Sequence, residues 1–189
     1  MKRWLLMGAA VLALVLAVSL GLRSLAPAPG SGDKILTAAG DPITRDELEE
    51  ARRSARALWD LGAAQSVPDD RELLARIVRA HLLEAEFEEH GITLTPEEES
   101  QAENSYADTR TAILAAIEDG STDPDAARQT LETVQAYREA MGWTEEEYAR
   151  RAGESMAVSM KKARLIETVY AGDGAALEAE LDAKIPLVS

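Results

Sequence analysis

Apolar residues follow two unlike patterns along this chain. From Trp4 to Leu22 they are nearly continuous, 19 residues without a charged side chain. As a helix such a run spans about 28 Å at about 1.5 Å per residue, close to the hydrocarbon thickness of a bilayer. Further on, apolar residues recur at the spacing of amphipathic helices. This spacing predicts five helices, over 45–61, 70–90, 96–119, 124–141 and 145–170, and a short tail helix over 174–184. Leu48, Ala51, Ala55 and Leu58 form one stripe on the first. On the second, Leu73, Leu74, Ile77, Val78, Leu82, Leu83, Ala85 and Phe87 go round most of the circumference, so it is expected at the centre with the others around it. The fifth carries Tyr148, Ala152, Met156, Ala163, Ile166 and Val169 at helical spacing. Leu177, Leu181 and Ile185 share a face, which suggests that the tail packs on the central helix. The strand signal is confined to Lys34–Ala38 and the Gly40-Asp41-Pro42-Ile43 stretch, readable as two very short strands around a turn. The fold class is therefore all-α with a minimal N-terminal β element. No repeat of 20–50 residues and no sustained heptad pattern is present.

The helix boundaries have their own chemistry. Thr44 is followed three residues later by Glu47, Thr95 by Glu98, and Thr144 by Glu147. Each pair has the form of a capping box, in which the threonine oxygen accepts from the third helical amide and the glutamate reaches back to the cap amide. Pro96 takes the first helical position after Thr95, where its missing N–H costs nothing. Gly62, Gly91, Gly120 and Gly142 stand where helices should stop.

The apolar run at the start reads as a signal anchor over 1–23, with Lys2 and Arg3 holding the N-terminus in the cytoplasm and Trp4 at the interface. A cleaved signal peptide is the competing reading, but its apolar region is normally about 7–15 residues. The small-residue sites Ser24-Leu25-Ala26 and Ala26-Pro27-Ala28 are each followed by proline, which opposes cleavage. Both readings place the domain outside the membrane. Residues 24–33, including Ala26 to Gly32, form a linker. The helical domain then covers 34–170 and the tail helix 171–189.

Charge narrows the partners. The first 23 residues hold three cations, Lys2, Arg3 and Arg23, and no acid, so the net charge of −14 for the whole chain becomes −17 for the rest. Such a domain repels phosphate backbones and anionic headgroups, which argues against nucleic acid and against peripheral membrane adhesion. The absence of cysteine excludes disulfides, zinc–thiolate sites, thiol nucleophiles and lipid-bearing cysteine anchors. With only two histidines, His81 and His90, general acid–base chemistry near neutral pH has few candidates.

Several groups invite a chemical reading. His81 with Glu84, and Glu86 with His90, lie on one helix, whereas a di-iron bundle needs Glu-x-x-His on two. His81 is better read as a partly buried core residue, and His90 as a cation near the negative end of its helix. Glu97-Glu98-Glu99 and Glu145-Glu146-Glu147 resemble acid–base clusters but sit in helix first turns, where capping accounts for them. No catalytic, metal or cofactor residue is assigned. Trp59, Tyr106, Tyr137, Trp143, Met156 and Met160 are candidates for a groove that holds unfolded chains, because aromatic and methionine side chains suit promiscuous apolar contact. The competing reading makes them core. Trp143, just before a cap, is the best candidate for an exposed platform, or else a staple against Tyr148.

Three stretches together resemble a known family. They are KILTAAGDPITRDELEEARR (Lys34 to Arg53), LLARIVRAHLLEAEFEEHGITLTPEEE (Leu73 to Glu99) and AMGWTEEEYARRA (Ala140 to Ala152). In order and spacing they resemble the helical N-terminal domain of SurA-type and PrsA-type extracytoplasmic chaperones, with Gly40, Ile43, Thr44 and Glu47 on the family's opening pattern. Ala39 departs from it, since the family often has asparagine before the turn glycine. The resemblance implies a module at the bacterial plasma membrane that binds unfolded or nascent secreted polypeptides. It does not extend to a parvulin domain, so prolyl isomerase activity is not expected. An anchored adaptor that docks one folded partner at the outer face is the alternative.

Overall fold

The computed structural model describes residues 33–185, and the expected anchor, residues 1–23, lies outside them. Among the described residues no helix is long and apolar enough to cross a membrane. The first elements are strands β1 (Lys34–Ala38) and β2 (Asp41–Thr44), paired antiparallel with Leu36 opposite Ile43 and Ala38 opposite Asp41. Ala39 and Gly40 join them at φ 51 and 91, the pair of positive values that a type I′ hairpin turn requires. Glycine takes that conformation freely, whereas for Ala39 it costs roughly 1–2 kcal/mol. Ile43 is wholly buried and fastens the hairpin to the helices behind it.

Six helices follow: α1 (Arg45–Asp60), α2 (Asp70–Glu89), α3 (Pro96–Glu118), α4 (Pro124–Met141), α5 (Glu145–Thr168) and α6 (Gly174–Lys184). Apart from the hairpin, the described domain is helical. All three threonine capping boxes are formed at α1, α3 and α5, with Glu47, Glu98 and Glu147 accepting from the cap amides at 2.7, 2.8 and 2.8 Å. Asp69, Asp123 and Asp173 cap α2, α4 and α6 through a side-chain oxygen alone. Gly142 ends α4 in the left-handed conformation, and the following amide, on Trp143, donates back to Arg138 O.

The core is divided among three apolar clusters. One joins the hairpin to α1 and α2 through Ile43, Leu48, Ala51, Leu73, Ile77 and Val78. A second lies between α1, α4 and α5, and a third between α2, α5 and α6. The expected central place of α2 holds toward α1, α5, α6 and both strands, whereas α3 and α4 pack chiefly on α5 and α1. On α2 the buried set includes His81 and Glu86 beside Leu73, Ile77, Val78, Leu83 and Phe87.

The most extensive helix–helix contact is between α3 and α5. It is close because Gly153 has no side chain: a Cβ there would lie 3.0 Å from Ala102 O and 3.2 Å from Glu103 Cα. Ala102 is buried opposite, and Ser155 is buried one turn away from the same helix face as Ala152. This corrects the stripe expected on α5. Tyr148 and Ala152 are buried as expected, but Ala163 and Val169 are exposed, and the buried face also takes in Gly153, Ser155 and Leu165. Beside Ala152 its middle is made of Gly153 and Ser155, small or polar residues that an apolar periodicity does not mark.

Two outcomes follow. Gly153→Val forces backbone apart where no flexible side chain can yield, and should cost about 1–3 kcal/mol, read as a lower urea midpoint. The capping carboxylates give the second. Glu98 and Glu147 are held below the ordinary 4.5 chiefly by the cap amides they accept from, so the folded state binds their protons less tightly than the unfolded state. Their contribution is full above pH 4.5 and is lost as pH falls through the lower folded values. Thermal unfolding followed by circular dichroism should therefore show a lower midpoint at about pH 3.5 than at about pH 7.

Candidate functional site

The chain brings three of the six groove candidates together and leaves three apart. Tyr106 of α3, Tyr137 of α4 and Trp143 of the α4–α5 turn gather around Tyr148 of α5. All the ring pairs meet edge to face: Tyr106 with Tyr148 at 5.2 Å, Tyr137 with Trp143 at 5.9 Å, and Tyr137 with Tyr148 at 6.5 Å. This geometry sets the positive edge of one ring against the negative face of the next. Val134, Met141, Ala57, Leu58 and Ala152 enclose them.

Tyr137 is wholly buried and so belongs to the core and not to an accessible groove. Its hydroxyl shares a 2.8 Å hydrogen bond with Ser54 Oγ of α1. Ser54 lies beside the apolar stripe of α1 and is one of two polar residues buried on that helix, with Glu47. The Tyr148 hydroxyl is equally buried but finds no hydrogen-bond partner among the described residues. Burial, with the neighbouring Tyr137 and Tyr106, pushes its proton affinity well up.

Trp143 is half-buried and not an open platform. The Arg151 guanidinium lies over its ring at 3.9 Å, the ring meets Tyr137 edge to face, and it packs on the cluster that holds Tyr148. Arg151 also pairs with Glu50 of α1 at 2.7 Å. Burial pushes the Glu50 carboxyl up against the opposing pull of Arg151, and burial likewise lowers Arg151 against the pull of Glu50. The pair thus joins α1 to α5 at the margin of the aromatic cluster.

Trp59, at the end of α1, is 43% exposed. Met156 and Met160 are half-buried on α5. With Tyr148 and Ala152 they form a row at four-residue spacing, each step of which turns about 40° round a helix of about 3.6 residues per turn. The row starts wholly buried at Tyr148 and rises toward the surface at the two methionines. It forms an apolar ramp leading out of the aromatic cluster.

The two histidines do different work. Nε2 of buried His81 lies 3.1 Å from Glu47 Oε1, and its Nδ1 lies 3.8 Å from Asp41 Oδ2. The Glu47 carboxyl is pushed up by burial, but hydrogen bonds from His81 and Thr44 outweigh this and leave it low. His90 ends α2, with Nε2 3.6 Å from buried Glu86. No group of three or more potential metal ligands is assembled among the described residues. Comparison with protein-family models, curated proteins and solved structures gives no match.

The two buried tyrosines make opposite predictions. Tyr137→Phe removes a satisfied hydrogen bond and strands Ser54, so it should cost about 1 kcal/mol or more. Tyr148→Phe removes a hydroxyl without a hydrogen-bond partner among the described residues and should change stability by less than about 0.5 kcal/mol or raise it. Urea unfolding of the two variants checks both.

Proposed function

We propose that this chain is a membrane-anchored, extracytoplasmic chaperone-like module that holds unfolded or nascent secreted polypeptides. The observation that carries the reading is the ramp on α5, where half-buried Met156 and Met160 continue the row that starts at Tyr148 and Ala152 in the aromatic cluster. Methionine adapts its shape to many apolar partners, which suits a surface that must accept unrelated sequences. Trp59 adds an exposed aromatic on α1. The ordered resemblance to the SurA-type and PrsA-type helical domain and the apolar run over Trp4 to Leu22 support the same reading. The resemblance covers the helical module and not a parvulin domain, so no isomerase step is assigned.

The acidic balance adds a preference. Polypeptides rich in lysine and arginine should associate faster, through long-range attraction that salt screens. Their advantage over neutral clients should shrink as ionic strength rises from about 0.01 M to about 1 M, where the screening length falls from about 30 Å to about 3 Å.

The test uses a fragment beginning at Ser31, mixed with a chemically unfolded model protein diluted into buffer. Light scattering should fall at near-stoichiometric amounts of fragment, and an equally acidic inert protein should have no such effect. Replacing both ramp methionines, Met156→Ser with Met160→Ser, should weaken the suppression several-fold while the circular dichroism spectrum stays unchanged. No suppression by the unaltered fragment would contradict the reading and favour an adaptor that docks one folded partner.

A further inference from the structure

α6 is attached to the domain in a way that sets it apart from the other helices. It has 11 residues, fewer than the roughly 12–15 an isolated helix needs to persist in water. Its helical form therefore depends on its seat. Leu177 and Leu181, four residues apart and so on one face, are buried against Leu83, Phe87, Ile92 and Leu165 of the α2–α5 side. Ion pairs flank this strip. Arg79 of α2 reaches both Glu178 and Asp182, and Lys162 of α5 meets Glu178 at 2.5 Å. On the other flank Lys184 reaches buried Glu86, and Tyr170 donates to Glu180 at 2.8 Å. The side chains of the first group are about a third or more exposed, so salt and water compete for them.

The connection is a tight turn of the same kind as the hairpin's Ala39-Gly40. Ala171 and Gly172, between α5 and α6, sit at φ 51 and 86. For alanine the left-handed region is strained. Among the described residues α6 is the last element, joined to the rest of the domain through the α5–α6 turn.

We propose that the strip between α2 and α5 is a binding groove for acidic amphipathic helices, filled in the resting chain by α6 as a detachable strap. The ligand class is displayed by α6 itself. It is a helical segment with two leucines four residues apart and an acid directly after each, as in Leu177-Glu178 and Leu181-Asp182. The leucines fill the apolar strip, and the acids meet Arg79 and Lys162. Arg79 and Lys162 on one flank select for acids on the segment, and buried Glu86 on the other takes a cation placed as Lys184 is. The inference goes beyond the holding activity proposed above and does not depend on it, because the groove is read directly by peptide binding.

The experiment uses the full chain in nanodiscs. In the unaltered chain, hydrogen exchange should show α6 amides opening at least about 100-fold more readily than those of α3 and α5. A labelled peptide with the sequence of Gly174 to Lys184 is then titrated against the unaltered chain and against the double variant Leu177→Ala with Leu181→Ala. The variant, its strap loosened, should bind the peptide at least about ten-fold more tightly, and adding Arg79→Glu should remove that gain. A peptide lacking both leucines should not bind either chain. The proposal is overturned if α6 exchanges together with α3 and α5, or if the folded double variant binds no better than the unaltered chain. Loss of helix from α3 and α5 in the double variant would also overturn it, by making α6 part of the core.

Discussion

The passage of α5 against α3 at Gly153 is the constraint on which the remaining packing depends. With a Cβ position 3.0 Å from a carbonyl oxygen, the two backbones touch without an intervening side chain. That fixes the depth at which α5 lies and so the placement of everything it carries. Its first half holds Tyr148 inside the aromatic cluster and Arg151 over Trp143. Its second half supplies Leu165 and Lys162 to the seat of α6. One helix thus serves both the surface proposed to hold unfolded chains and the groove proposed to take helices. Arg164 reinforces the same pair by bonding to Glu98 and to Thr93 O at the entry to α3.

Charged and polar groups inside this acidic domain act mainly as ties between elements. Glu47 with His81 joins α1 to α2, Glu50 with Arg151 joins α1 to α5, and Glu86 with Lys184 joins α2 to α6. A buried pair contributes little net stability, because desolvation offsets attraction, yet breaking one side leaves a costly unpaired charge. These pairs therefore fix which helices meet more than how tightly. The apolar clusters supply the driving force, and each tie runs between one specific pair of helices.

Much of the fold was legible in the sequence because helix ends are a local problem. Thr44, Thr95 and Thr144, each with a glutamate three residues on, declare their caps without reference to the rest of the chain. The shared face of Leu177 and Leu181 likewise pointed to the packing of the tail on α2, where both are buried, with α5 completing their seat. What was not legible depends on distant neighbours. Gly153 and Ser155 carry no apolar signal, so the buried face of α5 was drawn through Ala163 and Val169, which are exposed. Tyr137 looks the same in sequence whether it lines a groove or meets Ser54 in the interior, since its partner lies 83 residues away. Arg151 showed no sign of lying over Trp143, because that contact exists only once α4 has turned at Gly142.

The central claim is that the ramp on α5 receives unfolded chains of unrelated sequence. Methionine-methyl labelling tests it directly, because a fragment beginning at Ser31 contains only Met141, Met156 and Met160. Titration with several unrelated unfolded polypeptides should shift the Met156 and Met160 methyl signals progressively and leave buried Met141 nearly still. Unmoved ramp methionines, or a response to one protein and to no other, would contradict the account.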